Sequence, residues 1–522
     1  PDELFRTSVL ELREAGFNDK EAIAERLIGT GHASARPVLV AMLEDRLFVR
    51  NDDMAVVIAR SIEDGLAAYD LLDPVTLAAA GAAPADQLTK IGTNNRLRRF
   101  LRTRLARFAL ESPDAETRLA AVQEMRKSLD EEVVTLLRAQ QAGEPDARVR
   151  REIDTGLALA ALEDPSADTR FAAVKVLASR LNPDVRNRLA AMVEPGPDGS
   201  VAEPDAAVRE AVQQALASID STRQVYSAIE TLFFGLSLGS VLVLAAIGLA
   251  ITFGVMGVIN MAHGELIMLG AYTTYVVQQV WPDHLEASIA IAVPAAFLVS
   301  GLAGVILERS IIRFLYGRPL ETLLATFGVS LILQQAVRSI FSANNRSVVT
   351  PSWMSGTLQI NEALGLTLNR IYIVAFTLLV FGGLLLVLRR TRLGLDIRAV
   401  SQNRAMARAM GIRSEWVDAM TFGLGSGIAG LAGVALSQLT NVGPNLGQSY
   451  IIDSFMVVVF GGVGNLWGTL IGGLSLGMVN KLLEPYAGAV LGKILVLVTL
   501  ILFIQRRPRG LFPQTGRAAE GA

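Results

Sequence analysis

Apolar positions change their pattern near Tyr226. Before it they recur three and four apart among charged residues, the period of helices that bury one stripe. After it they run for 18 residues or more without Asp, Glu, Lys or Arg, over 231–264, 287–307, 371–388, 419–452 and 454–480. A bilayer core takes ~20 apolar residues per helix. Its interior offers backbone groups no water, so continuous apolar runs there fit helices. The runs predict nine spans, near 232–257, 262–280, 287–307, 320–341, 370–388, 416–440, 451–463, 466–483 and 489–505. The expected fold is all-α: a helical-repeat domain over 1–226, a polytopic membrane domain over 227–513, and a short tail over 514–522.

In the first part, four segments share a proline, Asp or Ser, an alanine, any residue, Thr or Val, and an arginine. They start at Pro113, Pro145, Pro165 and Pro204, with the arginines at Arg118, Arg150, Arg170 and Arg209. Proline suits a first helical turn, and a carboxylate there favours the helix dipole. The spacing predicts a HEAT-like helical array of uneven period. Ahead of it, 3–28 and 35–80 read as helices separated at Gly29-Thr30-Gly31, and a turn at Gly92 precedes a basic helix, Arg96 to Arg107. Its six arginines raise nucleic-acid binding, but the domain is net acidic and the arginines lie on several faces, so no nucleic-acid partner is expected. A helical array of this kind presents a surface to a protein partner or serves as a spacer.

Charge sharpens this division. Residues 1–226 carry 37 acidic against 29 basic side chains, and 227–522 carry 13 against 19. Arginines of the membrane part gather in alternate loops: Arg309, Arg313 and Arg318, then Arg389 to Arg413, then Arg506, Arg507, Arg509 and Arg517, against Arg346 and the border residue Arg370 opposite. The arginine-rich side is cytoplasmic by the positive-inside rule. Nine crossings from a cytoplasmic C-terminus place the N-terminal domain outside the cell membrane; if one of the short spans around Gly461-Gly462-Val463-Gly464 does not cross, that domain lies inside.

Candidate chemistry is sparse. Cysteine is absent, the three histidines are scattered, and no Walker A sequence occurs, so no cofactor or metal and no ATP site are expected on this chain. Gly425-Ser426-Gly427-Ile428-Ala429-Gly430 matches a dinucleotide fingerprint but lacks a preceding strand, and small residues at this spacing also let membrane helices approach. An enzyme is not expected. Asn260, His263 and Glu265 open an otherwise apolar span. Polar groups at membrane depth face a bundle interior or a water-filled path, so these three are candidate lining of a transport path, with helix capping as the alternative. Of Asp453, Lys481, Lys493 and Glu321, most are expected to reach an interface by snorkelling. In the basic loop 389–415, Asn403 is placed to cap a short helix with Met406 and Met410 on one face and Gly411 at its end, a form suited to docking on a partner.

GLSLGSVLVLAAIGLAITFGVMGVINMAHGELIMLGAY from Gly235 to Tyr272, RLGLDIRAVSQNRAMARAMGI from Arg392 to Ile412 and VVFGGVGNLWGTLIGGLSLG from Val458 to Gly477 resemble, in order and spacing, the branched-chain amino-acid permease family of ABC importers. The resemblance covers about 228–513. The long helical stretch ahead of the first span is similar to that of the family's urea permease subunits, whereas amino-acid permeases begin almost directly with the span. The resemblance implies a bacterial inner-membrane importer with a second permease subunit, two cytoplasmic ATPases that use the ATP, and an extracytoplasmic substrate-binding protein. It also implies an export signal ahead of Pro1. It assigns ATPase coupling to the loop that holds Arg398, Asn403, Arg404, Met406, Arg408, Met410 and Gly411. Alternatives are a branched-chain amino-acid or short-amide cargo, and a membrane-anchored helical-repeat scaffold.

Overall fold

The structure, a computed structural model, describes residues 2–60, 68–195 and 201–512. The expected tail over 514–522 and Arg517 lie outside the described residues. The chain divides into two compact units, Pro1–Ser221 and Thr222–Ala522.

The first unit opens with α1 (Asp2–Glu11), α2 (Phe17–Gly29) and α3 (Ala35–Leu43). The stretch after α3, expected to be helical, is instead an antiparallel sheet of β1 (Leu47–Arg50), β2 (Val56–Ala59), β3 (Tyr69–Leu72), β4 (Ala79–Ala83) and β5 (Leu88–Lys90), in the order β4-β3-β2-β1-β5. The domain is therefore α+β rather than all-α. β-branched Val56, Val57 and Ile58 are buried on both faces of the sheet, and the turn between β1 and β2 sets Leu47 opposite Ile58 and Val49 opposite Val56. Phe5, Leu12, Leu27, Met42 and Leu47 close the core beneath, together with Leu97 and Leu101 of α4 (Asn95–Leu110).

Beyond α4 the chain builds two three-helix units of the same kind. The first is α5 (Ala115–Met125), α6 (Glu131–Gln141) and α7 (Ala147–Ala161); the second is α8 (Ala167–Leu177), α9 (Pro183–Val193) and the first turns of α10 (Ala206–Met256). Core residues Val122, Met125, Val133 and Leu137 recur at one constant offset as Val174, Leu177, Val185 and Leu189. Val149 and Ile153 of the third helix return as Val208 and Val212. The four proline motifs thus start alternately the first and the third helix of a unit, which is why their intervals are uneven. Each motif arginine closes on carbonyls ahead of its own helix: Arg118 on Ser112 and Pro113, Arg150 on Glu144, Arg170 on Asp164 and Pro165, Arg209 on Glu203 and Pro204. Arg118 also pairs with buried Glu144 at 2.8 Å, and Arg170 with Glu203 at 2.7 Å.

In the second unit the apolar remainder of α10 is followed by α11 (His263–Val280), α12 (Ser288–Ser310) and α13 (Pro319–Phe341). A hairpin of β6 (Thr357–Asn361) and β7 (Leu364–Thr367) precedes α14 (Leu368–Arg390), α15 (Arg392–Gln402) and α16 (Arg404–Ala409). Then come α17 (Ser414–Ser437), α18 (Leu446–Gly461) and α19 (Leu466–Arg506). Among the described residues six helices are long and apolar enough to cross a membrane: α10, α12, α13, α14, α17 and α19. That is fewer than the nine expected. α11 and α18 fall outside this set, and two expected spans are joined in α19. Within α19 the backbone leaves helical geometry at Gly488 (φ 74°), after Pro485, and a Cβ on Gly492 would lie 3.6 Å from that of Leu483, so the chain turns back on itself there. α17 is buried along most of its length between α11 and α12.

Candidate functional site

α11 and α18 each follow a long helix after a short non-helical break, 257–262 and 438–445, and their first turns meet. Only glycine permits the contact: a Cβ on Gly447 would fall 1.9 Å from the Gly264 carbonyl oxygen and 2.6 Å from Glu265 Oε2. Non-helical backbone at membrane depth persists where it is buried in protein or lines a cavity, and the N–H groups of a helix's first turn have no partner within the helix.

Asn260, His263 and Glu265 are each 1% exposed, but they point to different partners. Asn260 Oδ1 accepts from the Ala262 N–H at 3.0 Å, a local cap of the break. His263 Nε2 lies 2.8 Å from the Ala245 carbonyl of α10. Glu265 Oε1 reaches α13, accepting from Gln334 Nε2 at 2.7 Å and from Ser330 Oγ. Glu265 Oε2 and Asn260 Nδ2 are buried without a hydrogen-bond partner.

Sequence reasoning singled out neither Ser330 nor Gln334, although a signal was present. Thr322, Thr326, Ser330, Gln334 and Arg338 recur every fourth residue, which places them on one face of α13. The first four are at most 3% exposed, while Leu320, Leu324 and Ile332 of the opposite face are at least 69% exposed. Thr326 Oγ1 accepts from the Met261 N–H at 3.1 Å, and Arg338 donates to Asn445 Oδ1 at 2.8 Å, so this file touches both breaks.

The loop 389–415 folds into α15 and α16. Asn403 caps α16, accepting from the Met406 N–H at 2.9 Å, and Gly411 ends it in the left-handed region (φ 86°). Met406 and Met410 stand 60% and 77% exposed. Three of its arginines fasten it to neighbouring elements. Arg404 forms a two-point pair with Asp418 of α17, at 2.6 and 2.8 Å, beneath the ring of Tyr316. Arg408 Nε donates to Ser414 Oγ at 2.6 Å, and Arg398 donates to the Leu388 carbonyl. The loop is thereby clamped to α17 and offers two methionines outward.

Several other sequence features are occupied structurally. Gly425 and Gly430 of the fingerprint lie inside α17 against the backbones of α10, α11 and α12. Lys493 pairs with Asp453 at 2.9 Å, and Lys481 with Glu484. In the basic helix Arg96 pairs with Glu21, Arg98 with Asp45, and Arg104 with Glu25 and Glu132.

The family described as branched-chain amino acid transport system / permease component matches residues 231–504. The high-affinity branched-chain amino acid transport system permease protein BraD of Pseudomonas aeruginosa is 31% identical over 298 residues, 55% of this chain and 96% of that protein. LivH of Escherichia coli, a permease protein of the same description, is 30% identical over 293 residues, 54% of this chain and 94% of its own length. The ribose import permease protein RbsC of Escherichia coli is 27% identical over 277 residues, 51% of this chain and 81% of its own length. No solved structure matches.

Proposed function

We propose a function from one premise: this chain belongs to the branched-chain amino acid transport permease family. It is a permease component of an ABC transporter of that family, a membrane protein with apolar helices of crossing length. We infer further that it is an ATP-driven importer subunit that moves urea across a bacterial inner membrane. A second permease, two cytoplasmic ATPases and an extracytoplasmic binding protein complete the assembly. ATP is hydrolysed on the ATPases, and this chain is surrounded by lipid. The N-terminal unit lies outside the cytoplasm, its two three-helix units read as a HEAT-like array for a protein partner, and the C-terminus lies inside.

The observation that carries transport is Glu265, buried and held by Ser330 and Gln334 between membrane helices. A buried ionisable side chain costs ~3 kcal/mol or more in a membrane helix, and a scaffold that only anchors has no use for it. α16 supports coupling: its frame is clamped to α17 by Arg404 and Asp418, and Met406 and Met410 face outward for an ATPase groove. Urea as cargo is supported by the residues before the matched region, which BraD and LivH leave uncovered although nearly all of their own length is matched.

A second reading, a branched-chain amino-acid cargo, is favoured by the names those relatives carry. Uptake of labelled urea by cells with and without this chain, in competition with leucine, separates the two. Urea uptake that needs the chain and ignores leucine is expected. Leucine uptake without urea uptake overturns the cargo, and transport of neither overturns the permease.

A further inference from the structure

The junction of α11, α18 and α13 specifies what kind of solute can pass. Two helix N-termini meeting at membrane depth form the natural seat for a carboxylate, because their N–H groups are unpaired within the helices and the dipoles favour negative charge. Here the protein's own Glu265 carboxyl group lies at that junction. Glu265 lies in the first turn of α11, and its Oε2 is packed against Gly447 in the first turn of α18. A cargo carboxylate would have to displace the Glu265 carboxyl group, which Ser330 and Gln334 hold from the other side.

What remains for a cargo is uncharged hydrogen bonding. Glu265 Oε2 is a buried acceptor and Asn260 Nδ2 a buried donor, both without a protein partner. Buried polar atoms of this kind are rare, because each costs about a hydrogen bond's desolvation. The file on α13 continues the polar surface in both directions, from Thr322 to Arg338, about 24 Å along the helix axis and so most of the hydrocarbon thickness. His263, turned to Ala245 of α10, is outside it.

We propose that Glu265, Asn260 and the α13 face of Thr326, Ser330 and Gln334 form a translocation site for a small uncharged amide, one with N–H donors, a carbonyl acceptor and no carboxylate. This deepens the permease reading and rests on it. Asn260 Nδ2 offers a donor suited to an amide carbonyl, and Glu265 Oε2 an acceptor suited to an amide N–H. Ser330 and Gln334 are positioning residues that fix the carboxyl group, and Glu265 excludes carboxylate cargo.

The test is uptake of labelled urea and labelled leucine by cells carrying the complete importer, with the amount of each variant in the membrane measured. Gln334→Leu and Ser330→Ala should lower urea uptake about tenfold, the size of one hydrogen bond to a charged group. Ser330→Thr should restore it, and Ile332→Ala, on the outward face of α13, should transport like the parent. Leucine should not compete with urea in the parent but should compete in Glu265→Gln, a change in selectivity that a loss of folding does not produce. If the parent imports urea and both Gln334→Leu and Ser330→Ala match it, the site is wrong and the permease reading stands. If Gln334→Leu does not reach the membrane, the Glu265→Gln selectivity decides, and an unchanged ratio overturns the site. A parent that moves neither solute removes the permease reading itself.

Discussion

Arg404 and Asp418 fasten α16 to α17 through one two-point pair. Their side chains are 19% and 7% exposed and meet at two points, so removing either partner leaves a largely buried charge. Breaking such a pair costs about 3 kcal/mol. Asp418→Ala should therefore release α16 from α17 and abolish ATP-dependent uptake while membrane insertion persists; unimpaired uptake contradicts the clamp. Acid acts on two largely buried pairs of the first unit. The Arg118 and Arg170 guanidiniums hydrogen-bond Glu144 and Glu203 and hold their carboxyls below the usual range. A carboxyl depressed in the folded state stabilises above its unfolded value, ~4.3 for Glu, and that contribution is lost as pH falls through the lower folded values. Melting of the N-terminal unit, followed in the full chain, should thus be flat from about pH 7 to about pH 5 and fall below about pH 4. Glu144→Gln with Glu203→Gln should lower the neutral melting temperature and flatten the acid slope. Asn403 was legible as a cap because its chemistry is local. Ser330 was not, because a hydroxyl in an apolar helix can bond the carbonyl one turn back, and its partner Glu265 lies 65 residues away in the chain.

Among elements, the glycine junction of α11 and α18 leaves no room for a side chain. A Cβ on Gly264 or Gly447 meets helix backbone at 2.6 or 1.9 Å, whereas one on Gly382 of α14 meets nothing within 4 Å. Overpacking of this kind costs ~1–3 kcal/mol or more. Gly447→Ala should sharply reduce the yield of folded protein in detergent, with Gly382→Ala unchanged; equal yields would contradict the close approach of α11 and α18. Met406→Ser with Met410→Ser should leave insertion intact and uncouple uptake from ATP hydrolysis, measured as hydrolysis without urea accumulation. The membrane helices were readable because uncharged runs admit little else. The sheet of the first unit was not, since its strands are three to five residues long and alternate with turns that a helical reading absorbs. Short strands of this kind are fixed by pairing partners distant in sequence rather than by period. The uneven motif intervals had the same origin: two kinds of helix in one repeated unit share one starting signal.

For the whole molecule, the net charge of −2 conceals an acidic first unit and a basic second one. Many of the acidic side chains pair with arginines of the same unit, as with Glu21, Glu25 and Glu132 around α4, and the basic excess of the second lies in loops such as 389–415. Nothing in the averaged composition revealed that division, and the pattern of uncharged runs did. On the proposed function, this chain forms the urea path of an ATP-driven importer. The most direct measurement is accumulation of labelled urea in proteoliposomes holding the complete importer, with this chain present or omitted and with ATP or a non-hydrolysable analogue. Accumulation that requires both the chain and hydrolysable ATP, and that excess leucine leaves unchanged, is the predicted result. Urea uptake equal in its absence, or accumulation of leucine in place of urea, would contradict it.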